Sequence, residues 1–346
     1  MITVAQIGCG YWGPNLLRNY SALDGCRVKW VAESSESRRE FVQSKYPETQ
    51  TTADVETLLG DDEVDAVIIA TPARTHFELA RAAMQAGKHV FVEKPLALNV
   101  RDADELIEMS QARGLTLMVG HTFLYNPAVR VLKDLIDSGE LGEVFYFCSQ
   151  RLNLGQLRDD VNAWWNLAPH DVSMLLYLMD GRMPVRFSGV GQDFLQEGIE
   201  DVVFATMEWR EKVSAMVHVS WLDPNKVRKL TVVGSQKMAV YDDVADSKIA
   251  VYDRGFDKVP RIGERMDFDG PLHSLKMRSG DIMMPSIPSE EPLAVEARHF
   301  IDCVGNGTEP LTGGKHARAV LEVVEKTNLA MRSRQGEARF SEKESK

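Results

Sequence analysis

Cysteine is scarce and scattered in this chain. Its four cysteines, Cys9, Cys26, Cys148 and Cys303, lie far apart, and no Cys-x-x-Cys pair occurs. That argues against a disulfide framework or a cysteine metal site and fits a reduced, cytoplasmic protein. Lysine and arginine never gather into a run, and the net charge is −11. Nucleic acid and anionic membrane are therefore poor partners. No apolar stretch is long enough to span a bilayer. The first residues read directly as a strand, not as a signal peptide. Internal repeats and low-complexity tracts are missing too. What is there is 346 residues, 44% hydrophobic and 26% charged. That is too long for one ordinary core and suits two domains.

The chain is organised around its first turn, Val4-Ala5-Gln6-Ile7-Gly8-Cys9-Gly10-Tyr11-Trp12-Gly13. An apolar strand runs into a Gly-x-Gly-x-x-Gly loop, and a helix opens near Tyr11. Gly8 permits the tight turn, Gly10 lets a pyrophosphate approach the backbone, and Gly13 lets helix and strand pack closely. Unpaired amides and the helix dipole then face the phosphates. Pro14 suits a first helical turn, where its missing N–H costs nothing. A second strand, 28–32, ends in Glu33, twenty positions after Gly13. A carboxylate there accepts adenosine ribose hydroxyls and repels a 2′-phosphate, which favours NAD over NADP. Ser34 and Ser35 are further candidates for hydrogen bonds to the ribose. Arg38 is a candidate for stacking on adenine or meeting a 2′-phosphate, which keeps NADP open.

Strand and helix alternate regularly for the first 120 residues, the pattern of a doubly wound parallel sheet. Residues 65–70 form an apolar run of the buried parallel type, ending in Thr71-Pro72. The strand 89–92 ends in Glu93-Lys94-Pro95, and another buried strand covers 115–119. Ligands of such sheets bind at the carboxyl ends of the strands. Gly8, Glu33, Thr71, Glu93, Lys94 and His121 all fall there. A lysine in a half-buried cleft beside an oxidised nicotinamide is expected to have a lowered pKa, which suits a proton donor and acceptor.

These residues resemble the Gfo/Idh/MocA family, the group of glucose–fructose oxidoreductase and inositol 2-dehydrogenase. The matching elements are the glycine loop with Tyr11 and Trp12, Ala70-Thr71-Pro72 with His76 shortly after, Glu93-Lys94-Pro95, the Leu135-Ile136…Gly139-x-Leu141-Gly142-Glu143 segment, and a helix carrying His170. The resemblance covers nearly the whole chain. It implies an N-terminal Rossmann domain over 1–122. It also implies a C-terminal α/β domain over 123–335, built on a large open, mainly antiparallel sheet that often makes the subunit contact. The last helices are expected to pack back on the Rossmann domain, and 336–346 to form a loose tail. In the family, Lys94 and His170 would flank the carbon that gives or receives hydride, with a pyranose or cyclitol as substrate. No metal is expected.

In the second half, 144–153 alternates like a long strand and ends near Arg151 and Asn153, candidate substrate contacts. Pro169 and His170 read as the first turn of a helix, whose N-terminus disfavours imidazolium and would leave His170 able to take a proton. Many family members carry Asp four residues before this histidine; here Asn166 stands there and cannot relay a proton. Trp164 and Trp165 are candidates for walling a pocket or for core, and Tyr125, Lys226 and Arg228 for substrate contact. Several strands follow up to residue 242, and 254–291, rich in Gly, Pro and charge, reads as an irregular excursion. The opening loop and Trp165-Asn166-Leu167-Ala168-Pro169-His170-Asp171 resemble members that dehydrogenate C3 of UDP-linked N-acetyl sugars. A cyclitol or free-monosaccharide dehydrogenase and a non-catalytic dinucleotide sensor are the alternatives. A large open sheet face predicts at least a homodimer.

Overall fold

Valine, isoleucine and alanine dominate the first strands, and such runs are stable where a sheet is covered on both faces. In the computed structural model, which describes residues 1–155, 157–260 and 273–343, the chain begins with β1 (Ile2–Ile7), α1 (Gly13–Ser21), β2 (Cys26–Ala32), α2 (Glu36–Lys45), β3 (Gln50–Thr52) and α3 (Val55–Leu59). It continues through β4 (Ala66–Ile69), α4 (His76–Gln85), β5 (His89–Glu93), α5 (Val100–Arg113) and β6 (Leu117–Gly120). The six strands form one parallel sheet in the order β3-β2-β1-β4-β5-β6. Every residue of β4 is fully buried. The helix limits follow local chemistry: the Asn99 side chain accepts the Asp102 amide at the start of α5, and Gly114, at φ 64°, ends it. The short strand β3 has no apolar signature and was not visible in the sequence.

The chain then passes through α6 (Pro127–Asp137), β7 (Val144–Leu152), α7 (Ala163–Leu178), β8 (Arg186–Gln192), β9 (Val202–Glu208), β10 (Ser214–Ser220), β11 (Val227–Gly234), β12 (Met238–Asp242), β13 (Ile249–Pro260) and β14 (His273–Met283). These eight strands make a second, mixed sheet ordered β14-β13-β12-β11-β7-β10-β9-β8. The β7–β10 pair is parallel; its other neighbouring pairs are antiparallel. One face is buried, with Phe147, Val203, Ala205, Val217, Val219, Leu230 and Val232. The opposite face leaves Tyr146, Val190, Phe204 and Met216 between 42% and 48% exposed. The expected irregular excursion is corrected here: β13 and β14 pair as a long hairpin at the sheet edge. Ile249 and Val251 at the start of β13 are buried, but the apolar residues farther along the hairpin are exposed, Phe256 at 65% and Met277 at 72%. Beyond Val251 it therefore lacks the buried alternation by which strands are recognised. The remainder of that stretch, 261–272, lies outside the described residues.

Two helices close the chain, α8 (Pro292–Asn306) and α9 (Gly314–Lys343). The backbone of α9 runs past Gly336, where the sequence suggested a loose tail, and 344–346 lie outside the described residues. By contacts the chain divides into two units. The first is Met1–Asn126 with Val172–Tyr177 and Ser289–Lys326; the second is Pro127–Asp171, Leu178–Pro288 and Thr327–Lys346. Within the first, α8 packs on α1 and β5. Its Phe300 lies 5.7 Å from Phe91 and 6.3 Å from Tyr20, ring centre to ring centre and edge-on. Arg18 and Asn19 of α1 both bind Glu291 just before α8. Among the described residues no helix is long and apolar enough to cross a membrane.

Candidate functional site

The strand order reverses between β1 and β4, and the loops leaving those strands open the groove where such sheets bind ligands. Gly8 sits at φ +90°, and a Cβ there would lie 2.7 Å from the Ala70 carbonyl oxygen. A Cβ on Gly13 would lie 2.6 Å from the Gly8 carbonyl oxygen, so α1 is pressed onto the turn. Gln6 ties the two together, its amide nitrogen donating to the carbonyls of Gly8 and Gly13 at 2.8 and 3.0 Å. Around Gly10 the nearest atom to an added Cβ is Arg38 Nη1, at 3.6 Å. The loop therefore leaves open space at Gly10 and none at Gly8 or Gly13. Trp12 stands at the start of α1 without a capping hydrogen bond, and its side chain instead donates to the Glu93 carboxyl. Tyr11 is 88% exposed and Trp12 41%. An open backbone at Gly10 before a helix start suits a pyrophosphate.

At the end of β2, Glu33 Oε2 accepts the Cys9 amide at 2.7 Å, and Oε1 accepts the Ser35 amide at 3.0 Å and the Ser34 hydroxyl at 3.2 Å. Burial pushes this carboxyl up, but those donors and the Arg38 charge outweigh it and hold it below the usual carboxylate range. Arg38 donates to the Cys9 carbonyl at 2.7 Å, so its guanidinium braces the glycine loop. The residues thus fit a dinucleotide with an unphosphorylated ribose. Replacing Glu33 by Ser is expected to weaken NAD by roughly tenfold, about 1.4 kcal/mol, and to narrow the preference over NADP. Titration of intrinsic protein fluorescence with each dinucleotide measures both; an unchanged NAD affinity would remove Glu33 from the ribose site.

Further along the sheet, Thr71 Oγ1 meets Thr75 Oγ1 at 2.7 Å, and Pro72 starts the turn into α4. His76, expected near the cofactor, is only 1% exposed. Its ring nitrogens lie 2.7 Å from the Pro95 carbonyl and 2.9 Å from that of Thr71. A neutral ring donates to only one of these carbonyls, but both ring nitrogens are turned into the two loops and away from solvent. Burial holds its pKa below the usual histidine range, against the pull of the two carbonyls. Lys94 follows β5 and is half-buried. Glu93 carries a buried Oε1 without a hydrogen-bond partner, and its side chain lies over Gly120. Burial raises its carboxyl to about 7, against the nearby Lys94 charge. Behind it, Glu296 of α8 is fully buried and accepts from Thr122 at 2.8 Å. Burial, then Glu93, pushes its pKa well up. His121, 2% exposed, meets His316 at 5.4 Å; burial, then His316, then Lys94, holds it well below the usual range. His121 and Glu296 form a buried polar layer beside Lys94. Strand-end position marked His121, but no local signal marked Glu296.

Tyr125, a candidate substrate contact, is fully buried, with its hydroxyl 3.0 Å from Thr312 Oγ1. It belongs to the core.

In the second unit, α7 begins at Ala163, where Asn162 Oδ1 accepts the Trp165 amide at 3.0 Å as a helix cap. His170 therefore stands midway along α7 and Pro169 inside it, not in the first turn as the sequence suggested. The argument from a helix N-terminus no longer applies to His170. The side chain of His170 is half-buried, as are Trp165 and Asn166, whereas Trp164 is core. Asn166 Oδ1 accepts from Trp221 Nε1 at 3.2 Å. Arg151 is not on a ligand surface: it is 3% exposed and paired with Asp171, Nε to Oδ2 at 2.6 Å. Arg228 donates to Asp243 at 3.2 Å. Asn153 is half-buried with its amide on the Ser220 carbonyl, and Lys226 is exposed.

The first unit is thus a Rossmann domain shaped for a dinucleotide. A family model described as "Oxidoreductase family, NAD-binding Rossmann fold" matches residues 2–121, and one for the GFO/IDH/MocA C-terminal domain matches 129–240. The chain belongs to the Gfo/Idh/MocA oxidoreductase family. It is 30% identical over 257 residues to a UDP-N-acetylglucosamine 3-dehydrogenase of Acidithiobacillus ferrooxidans, covering 74% of this chain and 78% of that protein. A solved structure of the enzyme of that name from the same organism superposes with a TM-score of 0.79 over 96% of this chain and 98% of its own, at 25% identity. A scyllo-inositol 2-dehydrogenase (NAD(+)) of Bacillus subtilis is 24% identical over 92% of each chain. Over several other curated relatives the chain spans about three fifths of their length.

Proposed function

We propose that the protein is an NAD-dependent dehydrogenase that oxidises a sugar carbinol, with C3 of a UDP-linked N-acetyl sugar as the reacting carbon. The observation that carries this reading is the loop after β1, in which Gly10 is open and the Glu33 carboxyl at the end of β2 is held below the usual carboxylate range. The family membership and the similarity to a UDP-N-acetylglucosamine 3-dehydrogenase support the substrate. NAD, when bound, supplies the hydride acceptor. The chain supplies proton management: His170 takes the hydroxyl proton as the carbinol hydrogen leaves with its electron pair, and Lys94 orients and polarises the same oxygen. Asn166 takes no part in proton transfer, because its carboxamide does not titrate and its Oδ1 is engaged by Trp221.

The test is NADH formation, followed by absorbance, with UDP-N-acetylglucosamine, its uronic acid and myo-inositol in parallel. Turnover of a UDP sugar alone is expected, together with protection against heat by UDP. Turnover of inositol alone would move the protein to the cyclitol dehydrogenases, a reading favoured by the inositol dehydrogenase similarity over nearly the full length. Silence with all three would favour a dinucleotide sensor.

The same reading includes a homo-oligomer formed through the exposed face of the second sheet. Phe204 stacks on His218 there at 4.2 Å and is 47% exposed beside Met216. A face that leaves Tyr146, Val190, Phe204 and Met216 exposed favours burial against a second copy. Replacing Phe204 by Glu is expected to give a monomer in light scattering. A wild-type monomer would remove the interface altogether.

A further inference from the structure

A buried ion pair is a costly way to hold a helix, because apolar side chains of similar volume hold it as well or better. Arg151 and Asp171 nevertheless form one in the second unit, with side chains 4% and 2% exposed. Arg151 donates twice, Nε to Oδ2 at 2.6 Å and Nη2 to Oδ1 at 3.3 Å. Ser149 Oγ donates to the same Oδ1 at 2.7 Å. Ser149 and Arg151 lie two apart on β7 and face the same side. Their common target is the residue that follows His170.

The location supplies a reason for the cost. Pro169 lies inside α7. Proline cannot donate to the carbonyl four residues back, that of Trp165, and its ring crowds that carbonyl. The helix is therefore weakest in the turn that ends at His170. Two anchors bracket this turn. Before it, Asn166 is held by Trp221, and the cap residue Asn162 is held by Glu200 at 2.7 Å and Asn328 at 3.1 Å. After it stands Asp171. Successive helical residues are about 100° apart, so clamping Asp171 to β7 fixes the rotation of α7 at His170. The clamp is itself backed by neighbours. Arg228 stands opposite Arg151 across the β7–β11 ladder. Its charge is met by Asp243, which also accepts from Tyr241 at 2.9 Å.

We propose that the Ser149–Arg151–Asp171 cluster is the positioning device for His170, restoring at the sheet the rigidity that Pro169 removes from the helix. The proposal rests on the reading of His170 as the proton acceptor. Arg151 and Asp171 are positioning residues and do not touch substrate.

The experiment pairs Asp171→Asn and Ser149→Ala with His170→Asn in a double-mutant cycle. The readout is NAD reduction by UDP-N-acetylglucosamine and by myo-inositol. Asp171→Asn is expected to lower kcat roughly 10- to 100-fold, the scale of a misplacement of about 1 Å. Ser149→Ala is expected to lower it less, and it keeps the test open should Asp171→Asn fail to fold. Sugar KM and NADH affinity are expected to stay within about twofold. In the His170→Asn background neither change is expected to cost anything further, because a device acting through His170 has nothing left to position. Equal losses in both backgrounds would overturn the proposal. A fully active His170→Asn protein would instead overturn the reading of His170.

Amide hydrogen exchange of 163–171 gives a readout that needs no substrate. Arg151→Met is expected to raise exchange there at least tenfold and leave 13–21 unchanged. Unchanged exchange over 163–171 would overturn the clamp even if neither sugar were turned over.

Discussion

Replacing Lys94 by Met is expected to lower kcat by roughly 10²- to 10⁴-fold, the range that a positioned proton-transfer group supplies. NADH binding, read by fluorescence, is expected to change far less. The expectation follows from placement. Lys94 leaves the carboxyl end of β5, the side on which sheets of this kind bind ligands, and its charge reaches His76, Glu93 and His121. Methionine keeps most of the apolar stem and loses only the ammonium, so the buried layer around Glu93 and His121 should survive. A Lys94→Met protein retaining more than about a tenth of wild-type turnover would remove Lys94 from the chemistry and revive the sensor reading. Loss of NADH binding in parallel with turnover would place Lys94 at the cofactor rather than at the proton.

The glycine loop offers the second large effect, because its three glycines are expected to fail in different ways. Gly10→Ala meets nothing closer than 3.6 Å. Its melting temperature should stay near wild type while NAD affinity falls tenfold or more, at least about 1.4 kcal/mol, since the new methyl group occupies the approach to the pyrophosphate. Gly8→Ala adds a side chain at φ +90° and 2.7 Å from the Ala70 carbonyl oxygen. Backbone strain alone costs about 1–3 kcal/mol there, so the protein should melt several degrees lower with or without cofactor. Gly13→Ala presses on the Gly8 carbonyl and on Gln6, which bridges both glycines, and should resemble Gly8→Ala. Calorimetry with and without NAD separates the two classes. A Gly10→Ala protein that binds NAD normally would show that the pyrophosphate lies elsewhere.

The Rossmann half was legible because its signals are local. Continuous apolar runs marked β4 and β5, and glycine spacing marked the turn after β1. The second half was legible as strands but not as a site. Alternation along β7 placed Arg151 on one face, but it could not say that Asp171 lies over that face, since no pattern within β7 reports a partner on α7. The start of α7 was misplaced for a different reason. Pro169 looks like a first-turn proline, a common and comfortable position, whereas the true cap, Asn162, precedes an apolar pair that also reads as a pocket wall. Tyr125 and His76 show the same limit. Both residue types suit ligand contact, and only long-range packing reveals that their polar atoms are already engaged.

The return of α8 to the first sheet bears on how the protein is made. Tyr20 and Phe91 emerge early from the ribosome, while Phe300, which lies against both, belongs to a helix near the far end of the chain. The whole second sheet is synthesised in between. The nascent Rossmann unit must therefore wait with an uncovered apolar face, a state prone to sticking and a natural client for a chaperone. A fragment ending at Asn126 lacks α8 and leaves Tyr20 and Phe91 without Phe300, so it is expected to be less stable and less soluble than the whole chain.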